Sequence, residues 1–205
     1  MTTTPLTLAG VDYGAKMAGT TAIAFLDLST GQVQLHQSVK GKSADDWLLE
    51  AFAQRPAAII AFDAPLSLPA YYSQTSIPGK KDYFYRASDR VLGAMSPLFL
   101  GGLTARAIRI RDLLEEQGMA VYETYPAKVA EALGLPALAY KKKTEHIPSV
   151  LAAMRVQFPE QITWAAADLT NWHRVDALLA LRTAWRIYAE QFEFVGDREE
   201  GGIYL

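Results

Sequence analysis

The sequence predicts an α/β fold on one mixed sheet, an antiparallel three-strand meander followed by parallel strands, flanked by helices and carrying an inserted loop and helix segment at about 65–104. Three observations predict it. The first forty residues hold three strand-like runs separated only by turns. Two later short apolar runs, 57–62 and 119–124, each follow a helical segment, as crossovers to parallel strands require. The 205 residues are 50% hydrophobic and 20% charged, the mix of one compact domain with a sizeable core rather than a disordered tail, a fibre or a coiled coil.

Leu6 to Val11 reads as a short buried strand and Thr20 to Leu28 as a second, β-branched and apolar at its centre. After the turn Ser29-Thr30-Gly31, residues Gln32 to His36 alternate polar and apolar, as a strand with one wet face does. Ser43 with Asp46 forms a capping box, and Trp47, Leu48, Ala51 and Phe52 keep helical spacing until Arg55-Pro56 stops it. The run Ala57 to Phe62 has no polar face, so the strand is buried on both sides, parallel and central. From Pro65 to about Thr104 prolines and glycines break the pattern. Thr104 caps a helix through Gln117 that Gly118 ends, and Met119 to Thr124 is the next strand. Helices are expected at Ala127 to Leu133, Ile147 to Phe158 and about Asn171 to Phe192.

Cysteine is absent, which excludes disulfides, thiolate metal sites and cysteine nucleophiles and fits a reducing cytoplasm. The first residues hold no basic stretch before an apolar one, and every long apolar run is cut by a charge, so neither a signal peptide nor a membrane span is expected. The formal net charge of −2 gives no bulk reason to expect a polyanionic partner.

The three strands expected to be parallel each end in a carboxylate followed by turn residues: Asp12, Asp63 and Glu123. The carboxyl ends of parallel strands form the ligand crevice of open α/β sheets, so these acids would converge on one edge. Asp176 joins them as an acid inside an apolar helical stretch whose small neighbours, Ala177 and Ala180, let the helix approach the sheet. Carboxylates brought together repel one another unless a cation neutralises them. Oxygen-only ligation favours Mg²⁺ or Mn²⁺, and a pair of such ions clamps the attacking and leaving oxygens of phosphoryl displacement. The expected chemistry is divalent-metal-dependent phosphodiester hydrolysis without a covalent intermediate. Asp12, Asp63 and Asp176 would be the metal ligands, with Glu123 as a further catalytic group. Taken singly, each acid also has an ordinary role, capping a turn, facing water or, for Asp176, favouring a helix start.

Asp12-x-Gly14, Asp63-Ala-Pro-Leu-Ser67, Arg86-x-x-Asp89, Glu123-x-Tyr-Pro126, Tyr140-Lys141 and Asp176-Ala-Leu-x-Ala180 together resemble a domain-of-unknown-function family described as predicted nucleases of the ribonuclease H fold. Asp12-Tyr-Gly-Ala-Lys16 is similar to the opening of predicted Holliday-junction resolvases of that superfamily. The resemblance covers most of the chain. It implies a ribonuclease H-like sheet with Asp12, Asp63 and Asp176 where that superfamily holds its metals, and Glu123 one strand further out.

Between Pro65 and Arg111 seven basic residues, Lys80, Lys81, Arg86, Arg90, Arg106, Arg109 and Arg111, face two acids, Asp82 and Asp89, a net of +5 that leaves −7 elsewhere. Tyr71, Tyr72, Tyr83, Phe84 and Tyr85 are interleaved with them, a combination suited to backbone phosphates and stacked bases, so nucleic acid, DNA or RNA, is the expected partner. Lys16, Arg86, Asp89 and Lys141 are the candidate substrate-binding residues, although Arg86 and Asp89, three apart, could equally be an internal ion pair that holds the insertion. His36, His146 and His173 match no metal spacing and read as structural, with His173 one helical turn before Asp176. No dinucleotide, P-loop, hydrolase-elbow or zincin motif occurs. The competing readings are an ATP-dependent phosphotransferase or ATPase of the actin and sugar-kinase type, and a non-catalytic nucleic-acid or protein-binding domain.

Overall fold

In the computed structural model, which describes residues 6–72 and 82–205, β1 (Thr7–Asp12), β2 (Ala22–Asp27) and β3 (Gln32–Gln37) form the antiparallel meander, and β4 (Ile59–Asp63) and β5 (Ala120–Glu123) add in parallel beside β1. The order β3-β2-β1-β4-β5 gives the mixed sheet the sequence predicts, the meander on one side and the parallel strands on the other. Every residue of β1 is buried, while β3 alternates exposed and buried as an edge strand with one wet face must. Lys80 and Lys81 lie outside the described residues.

Two cores sandwich the sheet. On one face α1 (Ala44–Gln54) and α4 (Gly102–Glu115) pack Leu48, Phe52, Ile110 and Leu114 against Val11, Ile60 and Phe62. On the other, α7 (Trp172–Tyr188) lies across β1 with α5 (Pro126–Ala132) and α6 (Ile147–Arg155) outside it, burying Leu178, Leu179, Val150 and Met154. The approach of α7 depends on Gly10. A Cβ there would come within 2.0 Å of the Leu181 nitrogen and 2.3 Å of the Ala177 carbonyl oxygen, so β1 meets the helix backbone directly. That close seat, with Ala177 and Ala180 opposite, brings Asp176 to the sheet edge.

Several boundaries differ from expectation. Ser43 caps α1 through the Asp46 amide as expected. In contrast, α4 begins at Gly102, and the Thr104 hydroxyl donates to the Pro97 carbonyl at 2.8 Å instead of capping. Before it the insertion folds as α2 (Ala87–Leu92) and α3 (Pro97–Leu100). α7 ends at Tyr188, short of Phe192, and Glu190 follows with φ +57°. Beyond it lies a hairpin that the periodicity did not announce, β6 (Phe194–Asp197) and β7 (Gly201–Tyr204). Its strands have four residues each and contain Gly196, Gly201 and Gly202, so they read as turns rather than strands. The hairpin covers the free edge beyond β5, where Thr124 bridges Tyr204, and Glu200 beside it accepts from the amides of Ala70 and Ala87 at 2.8 Å. It thereby fastens the insertion to the body. Among the described residues no helix is long and apolar enough to cross a membrane.

Candidate functional site

Strand register decides which acids meet. Asp12 and Asp63 are direct partners across β1 and β4, so their side chains leave the same face, the one α7 covers. Glu123 pairs instead with Phe62, one residue out of step, and turns to the opposite face with it.

On the α7 face, Asp12, Asp63 and Asp176 converge. The His173 Nδ1 lies 2.8 Å from Asp12 Oδ2. The hydrogen bond to Asp12 is the main cause that lifts the His173 pKa above its usual value. Asp176 is buried, accepts from the Tyr140 hydroxyl, and pairs with the Lys141 Nζ at 2.7 Å. Burial, helped by the Asp12 charge, pushes its carboxyl up to about 6 despite the pull of Lys141. Lys141 reaches in from a turn in which both it and Ala139 sit in the left-handed region, at φ 57° and 60°. Asp63 is the contrast: among the described residues its carboxylate takes no hydrogen bond and no ion pair. Burial and then the charges of Asp12 and Asp176 hold it well above the usual carboxylate range.

On the α4 face the buried acids are answered. Arg86 is fully buried, with Nε and Nη2 on Asp89 at 3.1 and 2.7 Å, Nη1 and Nη2 on Glu123 at 2.6 Å each, and Nη1 also on Ser67 at 2.9 Å. Asp89 in addition accepts from the Arg86 amide, closing the start of α2, and Glu123 accepts from the Leu66 amide. Burial still leaves Glu123 above its usual pKa, with Arg86 opposing. A second pair fastens the β1–β2 hairpin: Arg106 Nη2 meets Asp45 at 2.5 Å, Tyr13 donates to Asp45 at 2.7 Å, and the guanidinium lies over the Tyr13 ring. Burial pushes Asp45 upward, but these bonds together with the charges of Arg106 and Lys16 bring it below its usual value. Lys16 itself is exposed at the hairpin tip.

The structure thus brings together Asp12, Asp63, Asp176 and Lys141, and groups Glu123, Arg86 and Asp89 separately. Most described arginines of the insertion are engaged within the protein: Arg90 pairs with Asp82 and stacks on Tyr85, and Arg111 holds Asp112 and the Leu66 carbonyl. Tyr140, His173, Arg106 and Asp45 were not among the expected site residues; for His173 the spacing of three before Asp176 was the available signal. Among the described residues no three His, Cys, Asp or Glu side chains stand close enough, as placed, to hold one metal ion. The donor chemistry nevertheless fits a hard divalent cation: three carboxylates share an edge, and among the described residues one of them has no partner and Lys141 and His173 supply the only cationic contacts at the other two.

Residues 101–200, just under half of the chain, match the model of a family described as "Protein of unknown function (DUF429)", a span that contains Glu123, Tyr140, Lys141 and Asp176. No curated protein matches the chain. Among solved structures, the crystal structure of the Fowlpox virus resolvase with its substrate Holliday junction DNA is similar at a TM-score of 0.39 and 10% identity, over 90% of this chain and 97% of that one.

Proposed function

We propose that this protein is a divalent-metal-dependent nuclease whose phosphodiester chemistry takes place at Asp12, Asp63 and Asp176. The observation that carries the reading is Asp63, a carboxylate without a partner among the described residues, beside two others at the carboxyl edge of a parallel strand pair, where burial and like charge both disfavour ionisation. A structural acid there would have acquired a partner, as Glu123 and Asp89 have.

Mg²⁺ or Mn²⁺ held by Asp12, Asp63 and Asp176 would neutralise the carboxylates and polarise a phosphodiester toward attack by water. The chain's own residues set the edge for that. His173 fixes the Asp12 carboxylate, Tyr140 fixes Asp176, and Lys141 adds a positive charge beside the acids that suits the extra negative charge of a phosphoryl transition state. Glu123 acts one step removed, as a positioning residue: through Leu66 and Arg86 it holds the loop that follows Asp63. Lys16, exposed on the neighbouring hairpin, is placed to meet substrate backbone at longer range. Nucleic acid, DNA or RNA, is the substrate class.

The test is thermal unfolding of wild type and Asp63→Asn with no metal, Mg²⁺ or Mn²⁺, followed by a cleavage panel of single-stranded, duplex and branched DNA and RNA. Mn²⁺ should raise the wild-type midpoint and leave the variant unmoved, because a ligand bound only by the folded state stabilises it. Cleavage should need metal and disappear in Asp63→Asn. Metal-dependent cleavage that survives the substitution unchanged would refute the reading.

A further inference from the structure

A cavity of about 280 Å³ opens beside Asp63, between the insertion and the ends of β4 and β5. Met95, Leu100 and Leu103 from the insertion form one wall, and Ile203 from the C-terminal hairpin the other. The rings of Tyr13 and Tyr125 also line it. Its charged lining is mainly acidic, Asp63, Asp89 and Glu123. The one cation among its described lining residues, Arg86, already gives its side-chain donors to Ser67, Asp89 and Glu123 and has none turned toward a ligand. Such a pocket repels phosphate and other anions. It suits a flat, uncharged group that stacks on aromatic and aliphatic walls and presents N–H donors to carboxylates. At 280 Å³ it lies at the small end of ligand pockets, ~300 Å³, which admits one ring system rather than several.

We infer that this cavity is a nucleobase pocket: it receives one base, turned out of its stack, from the nucleotide adjoining the phosphodiester held at Asp12, Asp63 and Asp176. The assignment of that phosphate rests on the nuclease reading, whereas the affinity for a base rests on the cavity alone. The complementarity is spatial as well as chemical. Asp63 belongs both to the acidic edge and to the cavity, so a nucleotide bound across it would place its charged part on the α7 face and its neutral ring on the α4 face. Two elements whose sequences carry no catalytic signature, the α2–α3 insertion and the β6–β7 hairpin, thereby become the specificity determinants. Extruding a base costs a few kcal/mol in a duplex and little in a single strand or at a branch, so the pocket would favour unpaired or distorted sites.

The experiment has a binding arm and a cleavage arm. In the first, saturation-transfer NMR on the metal-free, full-length wild type uses AMP, GMP, CMP and UMP, with ribose 5-phosphate as the base-free control and a short single-stranded oligonucleotide as competitor. Transfer should reach base protons, be absent for ribose 5-phosphate, and be lost in Leu103→Trp and in Ala94→Phe, two independent ways of filling the cavity, each checked for an unchanged unfolding midpoint. Displacement by the oligonucleotide identifies a strand as the source of the base, and failure to displace identifies free nucleotide and overturns the strand assignment. In the second arm, with Mn²⁺, an abasic site beside the cut should lower wild-type kcat/KM roughly 10- to 100-fold, and the filled variants should lose as much on intact substrate. Base transfer that persists in both folded, filled variants, or cleavage indifferent to them and to the abasic site, overturns the pocket and leaves the nuclease intact. Base transfer without cleavage of any substrate supports the pocket while removing the nuclease reading.

Discussion

The two faces of one sheet edge treat their acids in opposite ways. On the α4 face Glu123 and Asp89 close around Arg86, whose side-chain donors are all engaged with Ser67 and those two carboxylates. On the α7 face Asp12 and Asp176 have a histidine and a lysine at partly exposed positions, and Asp63 has no partner among the described residues. Asp12 and Asp176 are buried as Glu123 and Asp89 are, and Asp63 partly so, so burial alone does not explain the difference. What separates them is whether the protein supplies the countercharge itself, and an edge that leaves it unsupplied is one arranged for a charge from outside. Carboxylates at neighbouring strand ends thus fall on opposite faces, one internally neutralised and one not, by a one-residue step in strand register.

The largest effect should come from breaking the answered side. Arg86→Met leaves Glu123 and Asp89 buried without a counterion, which costs on the order of 3–5 kcal/mol, read as a shift in the urea midpoint at unchanged slope. Gly10→Val should follow at roughly 1–3 kcal/mol, because the new side chain forces β1 off the α7 backbone. The two differ in what survives. Gly10→Val should abolish Mn²⁺ stabilisation by moving Asp176 away from Asp12 and Asp63, whereas residual folded Arg86→Met should still bind the metal. A Gly10→Val chain that keeps its full Mn²⁺ response would show that the α7 seat does not set the acidic edge.

How much of this was legible in advance follows the same division. The meander, both parallel strands and the long helix were written in apolar periodicity, and the convergence of Asp12, Asp63 and Asp176 followed from strand ends and small helix residues. Glu123 looked equivalent because it too closes a strand, and only register, which depends on how β5 slides against β4, turns it away. The roles of Tyr140 and Lys141 depend on a left-handed turn that carries no glycine, so nothing in composition marks it. The hairpin's short, glycine-bearing strands gave no periodic signal, and with it the cavity wall at Ile203 went unseen.

Of comparable size is the effect of pH on the metal-free chain. Asp176 has its pKa raised from 3.8 to about 6, and Asp63 is raised as well. Groups raised in this way bind protons more tightly folded than unfolded, so stability is greatest below about pH 4 and declines as pH rises, for Asp176 through about 6. For Asp176 alone the decline is on the order of 3 kcal/mol. His173, raised above 6.5 by Asp12, adds in the same sense, its stabilisation being full below 6.5 and lost as pH rises through its folded value. Asp63→Asn should flatten this slope and exceed wild type in stability at pH 8 by roughly 1–3 kcal/mol. Denaturant melts at half-unit pH steps measure it, and a variant less stable than wild type at pH 8 would mean that the edge is not strained by like charge.

The smallest change tests whether Lys141 supplies positive charge at the acidic edge that the proposed metal would otherwise supply. Its ammonium sits 2.7 Å from Asp176 and is half-exposed, so solvent screening limits what it contributes. Lys141→Met should lower metal-free stability at pH 8 by less than about 1 kcal/mol. With the internal positive charge gone, the carboxylates should attract a divalent ion more strongly, moving the Mn²⁺ titration of the unfolding midpoint to roughly fivefold lower concentration, equivalent to about 1 kcal/mol. On the nuclease reading the same substitution should slow cleavage of saturating substrate, because the charge that would compete with metal at rest would also face the phosphoryl group during reaction. Tighter Mn²⁺ response together with slower turnover is the signature of a lysine shared between the two states. An unchanged Mn²⁺ titration would place Lys141 outside the acidic edge altogether and return its pairing with Asp176 to the anchoring of its own turn.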